Sequence, residues 1–373
     1  MTMRTNAEAL SLRISVTSRC QLRCRYCAPP EGMHEALRAS AMTSDQILEF
    51  VRDLARLYPL RKVHLTGGEP LTRPDIVGLV ARLAREGPAD LALTTNGRRL
   101  AAMAGDLRRA GLARINISLD SLDADTYRRL TRGGDLAPVI AGIAAARQAG
   151  FDPIKLNMVV LRGVNDHEVT AVARWGLERG CQVRLLELMP IGVAQPHFDE
   201  WFISTAEVRE RLAADFGLEP IAGDAGASSR NYLARARDGA RNLSGYFTTK
   251  CNPVRGGSPD PPRTHRPPRA TARRVRRPAA LAVGQEPTSG VIGFISPCSD
   301  SFCSGCRRLR LTADGRLLGC LARPQGVDVR AAVRSAAGAE RDARLAAAVE
   351  AALALKRAGR QFAAQGPMIA VGG

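Results

Sequence analysis

Short apolar runs alternate with longer amphipathic stretches through the first half of the chain. Leu12–Val16, Lys62–Thr66, Leu91–Thr95, Arg114–Leu119, Pro153–Val160 and Gln182–Leu188 have the length and residue types of strands. Between them, Asp45–Leu57, Pro74–Arg85, Arg98–Ala110, Leu136–Gln148 and Asp166–Arg179 have helical character. Strands separated by such helices predict a parallel βα series, hence an α/β fold. Six units fit a partial (β/α)6, TIM-like barrel better than an open sheet, although periodicity leaves closure undecided. Such barrels build active sites at the C-terminal ends of their strands.

The pattern breaks after about Arg235. Val254–Pro278 holds eight arginines, one aspartate and almost no large apolar residue, so it cannot bury enough surface to fold alone. Residues 235–289 are therefore predicted to be an Arg/Pro-rich disordered insertion. Order resumes near Gly290. LRLTADGRLLG predicts two strands joined at Asp314-Gly315, and Ala339–Arg357 predicts a long helix. The expected organisation is a barrel over 1–220, the insertion over 235–289 and a C-terminal extension over 290–373.

Composition narrows the class. The chain is 45% hydrophobic but only 4% aromatic, so Leu, Val, Ile and Ala must fill the core. Apolar runs such as Val139–Ala146 fall short of the roughly 20 residues that span a bilayer, and Met1–Leu10 lacks an apolar leader core. A cytoplasmic protein without a membrane partner is expected. The net charge of +18 implies an anionic partner. Val254–Pro278 alone carries a net seven of those charges, and the remainder is less basic and enzyme-like. That disfavours nucleic acid as the partner. Nine clustered cysteines in a cytosolic chain point to metal binding or catalysis rather than disulfides.

Cys20, Cys24 and Cys27 form C-x3-C-x2-C directly after the first strand, with Tyr26 inside the loop. Thiolates are the usual ligands of iron–sulfur clusters, and three ligands on a four-iron cube leave one iron open. A structural zinc loop is the plainer alternative. Cys303, Cys306 and Cys320 form a second set of three, C-x2-C-x13-C. Arg308 and Arg310 lie between them on one face of a predicted strand, where guanidinium forks suit phosphates. A zinc ribbon with surface arginines is the alternative there.

The first cysteine loop, with Gly67-Gly68-Glu69-Pro70, resembles the radical S-adenosylmethionine superfamily. LRISVTSRCQLRCRYCAPPEGM, LTGGEPLTR, TTNG, INISLDSL, IKLNMVVLRGVND, LLELMPIG and FCSGCRRLRLTADGRLLGCL resemble, in order, the GTP 3′,8-cyclase family. That family catalyses the first step of molybdenum cofactor biosynthesis. The likeness spans about residues 12–230 and 290–373, and includes the terminal Gly372-Gly373. It implies two 4Fe-4S clusters, the second in the C-terminal extension, with S-adenosylmethionine bound at the open iron of the first. It also implies radical cyclisation of GTP to 3′,8-cyclo-7,8-dihydro-GTP, an electron-donor protein and a downstream pterin-forming enzyme. A homodimer is one of the oligomeric states left open.

Residue by residue, the resemblance implies that Tyr26, Gly68, Glu69, Ser118 and Met189 border S-adenosylmethionine. GTP would meet Arg13, Thr95, Lys155, Arg184, Arg308 and Arg310. His64 also belongs to this set, standing where the family pattern leads one to expect arginine. Gly372 and Gly373 would reach the active site and support the radical step. Cys181, Cys251 and Cys298 match no ligand position, although Cys298 is near enough to Cys303 for misligation. A peptide maturase with an auxiliary cluster, a nucleic-acid-binding protein, and a cyclase inactivated by the insertion are the rival readings.

Overall fold

The computed structural model describes residues 9–32, 41–88, 90–223, 227–237, 288–323, 325–330 and 338–357. Six strands run parallel in chain order: β1 (Leu10–Ser15), β2 (Leu60–Thr66), β3 (Leu91–Thr95), β4 (Arg114–Ser118), β5 (Lys155–Val160) and β6 (Gln182–Glu187). The helices joining them are α1 (Ser44–Leu57), α2 (Ile76–Arg85), α3 (Leu100–Arg109), α4 (Ala124–Thr131), α5 (Ala137–Gln148) and α6 (Val169–Glu178). Local chemistry sets several boundaries. Thr43 and Gln46 form a capping box at α1, and the Asp123 carboxylate accepts the Thr126 N–H at the start of α4.

The strands alternate. Leu10, Leu12 and Ile14 of β1 are buried, as are Ile115 and Ile117 of β4 and Leu156, Met158 and Val160 of β5. The residues between them, including Arg13, Asn116 and Asn157, line a cavity. Parallel strands buried on both faces usually read as continuous apolar runs, so this alternation marks a sheet curled around a polar interior.

The C-terminal half extends this sheet at both edges. After α7 (Thr205–Ala213), β7 (Phe216–Pro220) and β8 (Arg230–Ala236) pair antiparallel, and β8 pairs with β9 (Ser289–Ile295). β9 lies parallel on β6. β10 (Arg308–Leu311) lies parallel on β1, and β11 (Arg316–Leu318) and β12 (Val327–Asp328) follow antiparallel. The order is β12-β11-β10-β1-β2-β3-β4-β5-β6-β9-β8-β7, with no pairing between the two ends among the described residues. The barrel is therefore partial. The Asp314-Gly315 turn joins β10 to β11 as expected, with Gly315 at φ 85°. The long C-terminal helix is α8 (Gly338–Arg357), tied to α1 by Arg341–Asp53 and Arg56–Asp342. Residues 238–287, most of the expected insertion, lie outside the described residues.

Candidate active site

The first cysteine loop is held from below by α4. Arg23 and Arg25 donate their backbone N–H groups to the carbonyls of Thr131 and Leu130, and the Arg132 guanidinium caps the carbonyls of Arg23 and Ala28. Arg132 itself takes a left-handed conformation, φ 53°, to close the helix. The Tyr26 hydroxyl donates to Asp120 Oδ2 at 2.7 Å, and Val159 N–H donates to Asp120 Oδ1 at 2.9 Å. Burial pushes the Asp120 carboxyl up to about 6 against those two donors. Leu22 N–H and the Asn96 amide approach Cys20 Sγ at 3.4 and 3.8 Å. Burial pushes the Cys20 thiol up to about 11, and Cys24 is raised well above the ordinary range by burial and by Cys27.

Gly67 and Gly68 have a structural reason beyond ligand approach. A Cβ on Gly67 would lie 2.5 Å from the Thr17 carbonyl oxygen, and one on Gly68 would lie 2.4 Å from that of Arg19. Gly68 and Glu69 donate N–H bonds to those same carbonyls, at 2.7 Å each. The two loops therefore zip together backbone to backbone. Glu69 accepts from Leu71 N–H and the Thr95 hydroxyl on one oxygen, and from Asn96 N–H on the other. Burial pushes its carboxyl up to about 7 against those donors. Thr95, expected at the substrate, is thus bonded to Glu69 while also lining the cavity.

Strand register creates rows of cations. Arg310, Arg13 and His64 are in register across β10, β1 and β2, and one step below them stand Arg308, Ser11 and Lys62. Ser118, Asn157 and Arg184 form a third row across β4, β5 and β6. Burial followed by mutual repulsion pushes Arg310 down to about 9, Arg184 to about 10 and Lys62 to about 7. Arg13 falls well below its ordinary value for the same reasons. Guanidinium delocalisation keeps the arginines charged at neutral pH, so their repulsion persists. Lys62 also reaches Asp90 at 3.3 Å, but Arg114 engages both oxygens of that carboxylate. His64 is buried among Arg13, Lys62, Arg308 and Arg184, held well below the ordinary histidine range, and bonded to Thr94 Oγ1 at 2.7 Å. It contributes polarity where the resemblance led to an expected cation.

The second cysteine set shares this cavity. Cys303, Cys306 and Cys320 line it, as do Cys20, Cys24, Cys27, Tyr26, Gly68, Ser118 and Met189. Its volume is ≈ 790 Å³, in the upper part of the roughly 300–1,000 Å³ typical of small-molecule sites. Lys155 is not among the lining residues. It sits at the start of β5, where burial and then Arg184, Arg114 and Lys62 push it down to about 7. Gly372, Gly373 and Cys251 lie outside the described residues. Cys181 is core, and the Cys298 thiol donates to the Leu188 carbonyl at 3.4 Å and is not among the residues lining the cavity, although Leu188 and Pro297 are.

Several contributors were not singled out from sequence. Lys62, Asn116 and Asn157 line the cavity; Lys62 and Asn116 follow from period-two alternation with His64 and Ser118, and Asn157 with Lys155. Glu187 is buried and accepts from Thr205, Cys298 N–H and Ser299, clamping the end of β6 to the loop that leads to the second cysteines. Lys356 of α8 reaches Cys306, and nothing local in the sequence signals that contact.

Among the described residues, no three His, Cys, Asp or Glu side chains converge as ligands of a single metal ion. The donor set nevertheless suits iron–sulfur clusters, with two thiol trios each met by a nitrogen donor at sulfur. Arg13 Nε and Asn157 Oδ1 are buried without a hydrogen-bond partner in the cavity wall, as befits a site for a polar ligand.

Comparison with known proteins agrees with this geometry. Residues 14–176 match the model of the Radical SAM superfamily, and residues 265–362 match Molybdenum Cofactor Synthesis C. The chain is 36% identical to a GTP 3′,8-cyclase of Paenarthrobacter nicotinovorans, covering 90% of this chain and 83% of that one. It is 40% identical to a GTP 3′,8-cyclase of Pseudomonas putida, covering 88% and 83%. The crystal structure of Streptococcus suis SuiB bound to S-adenosylmethionine superposes with a TM-score of 0.52 at 14% identity, covering 87% and 64%; that likeness concerns the fold alone. With relatives this similar over most of their length, the chain belongs to the GTP 3′,8-cyclase family of radical S-adenosylmethionine enzymes.

Proposed function

We propose that the chain converts GTP to 3′,8-cyclo-7,8-dihydro-GTP, with one 4Fe-4S cluster held by Cys20, Cys24 and Cys27 and another by Cys303, Cys306 and Cys320. The observation that carries this reading is that both thiol trios and the cation rows line one cavity. When bound, the first cluster and S-adenosylmethionine would supply the 5′-deoxyadenosyl radical; one hydrogen atom leaves ribose C3′, the C3′–C8 bond forms, and one electron from a donor protein with one proton completes the dihydro product. The protein's part is to bind, orient and exclude water. Glu69, with one oxygen engaged only by Asn96 N–H, offers an acceptor to the ammonium of S-adenosylmethionine. Tyr26, fixed by Asp120, and Met189 and Ser118 bound the adenosyl side. Arg13, Arg184, Arg308 and Arg310 face the triphosphate, Lys62 and Lys155 stand below, and His64 adds a neutral ring. An electron-donor protein and a pterin-forming enzyme acting on the product complete the partners. No helix among the described residues is long and apolar enough to cross a membrane.

Two measurements test this. Anaerobically reconstituted protein should hold about eight irons per chain, falling to about four in Cys303→Ala. GTP deuterated at C3′ should give deuterated 5′-deoxyadenosine, and transfer from any other position would reject the assignment.

A further inference from the structure

The buried face of α8 does not end with its apolar residues. Leu345, Ala348, Val349 and Ala352 are all buried and follow the spacing of one helical face. One turn beyond Ala352, the same face carries Lys356. Its ammonium has three hydrogens, and three acceptors surround it: the carbonyl of Cys306 at 3.1 Å, the Sγ of Cys306 at 3.5 Å and the carbonyl of Arg308 at 2.5 Å. The helix is pressed against the neighbouring cysteine as well. A Cβ on Gly319, the residue before Cys320, would lie 1.9 Å from the Ala352 carbonyl oxygen. Glycine at 319 is what lets the helix end come this close.

We infer that Lys356 is a positioning residue for the second cluster: it fixes the backbone on both sides of Arg307, donates to the Cys306 sulfur, and thereby raises that cluster's reduction potential. The inference rests on the second cluster proposed above. The physical reason is charge. Reduction adds an electron to a cluster that already carries thiolate charge, and hydrogen bonds to its sulfurs favour the reduced form. Arg308 and Arg310 line the same cavity and also lie near Cys306 and Cys320, but among these cations Lys356 is the one seen donating to the Cys306 sulfur.

The test uses the full-length, reconstituted enzyme, with iron and sulfide content and an EPR-monitored redox titration as readouts. The comparison is wild type, Lys356→Met and Lys356→Arg. In Lys356→Met the second cluster's potential should move to a more negative value while the first cluster's stays fixed, and Lys356→Arg should restore most of the shift. Full iron content in Lys356→Met with an unchanged potential would overturn the inference. Should Lys356→Met lose the second cluster, retention by Lys356→Arg supports a cationic donor, and loss in both variants overturns it. Gly319→Ala, whose Cβ would drive into the Ala352 carbonyl and lie against Lys356 Cβ, pushes the helix end away and should shift the potential in the same direction. Iron near four in the wild type would instead remove the second cluster itself, and this inference with it; that result is read before any variant is made.

Discussion

Binding of a triphosphate to this cavity should take up protons. Lys62 and Lys155 are pushed down to about 7 by burial first and by neighbouring cations second. For such a pKa, each is roughly nine-tenths neutral at pH 8 in the free enzyme. A bound polyanion returns both toward the ordinary lysine value of about 10.4. Binding at pH 8 to 9 should therefore take up nearly one proton per lysine, or about two in all. The sign follows. Both lysines are already charged below about pH 7, so affinity is fully present there; it is lost as pH rises through 7 toward the bound-state value. Two protons make the loss up to roughly a hundredfold per pH unit, about 2.7 kcal/mol. The phosphates do not confuse the reading, because a terminal phosphate with a second pKa near 6 is fully ionised above pH 8. Arg310, pushed down to about 9, adds a fraction of a proton at pH 8.5, so the changes in the lysine variants rather than the total uptake carry the reading.

Isothermal titration of GTP at pH 8.5, in two buffers of different ionisation enthalpy, measures the uptake directly. Lys62→Met and Lys155→Met should each lower it by about one proton and flatten the pH profile correspondingly. Because Lys155 is not in the cavity wall, the two variants also separate a direct from a transmitted effect. Uptake near one, unaltered by Lys155→Met, would confine the linkage to Lys62. Heats independent of buffer would refute the reasoning altogether, for then neither lysine is neutral before GTP arrives.

Three further outcomes are expected. Gly68→Ala forces a Cβ to 2.4 Å from the Arg19 carbonyl, so the first cluster should be lost and iron should fall by about half; full iron would show that the two loops can part freely. Glu69→Gln sets an amide NH2 against the donors now satisfied by the carboxylate, costing about 1–3 kcal/mol; a lowered Tm with weaker S-adenosylmethionine binding is expected, and an unchanged Tm contradicts it. Deleting Gly372 and Gly373 should abolish cyclisation while leaving GTP affinity nearly intact, because a contact made only along the reaction path affects turnover rather than binding. A parallel fall in affinity would make the tail a binding element.

The parallel core was legible because its strands and helices carry strong, separate periodicities. β3 begins and ends where the pattern places it, β2 starts two residues earlier, and β1 starts two residues earlier and ends one earlier. The short α4 was not read, although Asp123 caps it, because eight residues give too few turns for an apolar stripe to stand out. β7 and β8 were missed for a different reason. Among the described residues β7 pairs only with β8, and β8 joins the sheet by pairing with β9, more than fifty residues further on, which no local pattern announces. The same holds for β10 on β1. The chain places the C-terminal extension at both edges of the barrel sheet, a fact invisible to a reading that treats the segments in order.

The candidate site divides along the same line. Cysteine spacing and the glycine motif are local and were readable, but their partners are not. The Thr17 and Arg19 carbonyls that require Gly67 and Gly68 to lack a Cβ belong to the preceding loop, and the ammonium at Cys306 comes from a helix 50 residues away. The cation rows fall between these cases. Arg308 and Arg310 reveal their common face by alternation alone, yet only the parallel register of β10, β1 and β2 stacks them beside Arg13 and Lys62. That stacking decides what the cavity can be. Buried cations this close repel one another, and a solvated protein interior does not gather them without a compensating anion. Most of that charge is guanidinium, which stays protonated at neutral pH, so a bound polyanion would relieve the repulsion and stabilise the barrel. A triphosphate in this cavity would then serve the electrostatic balance of the barrel as well as the reaction proposed for it.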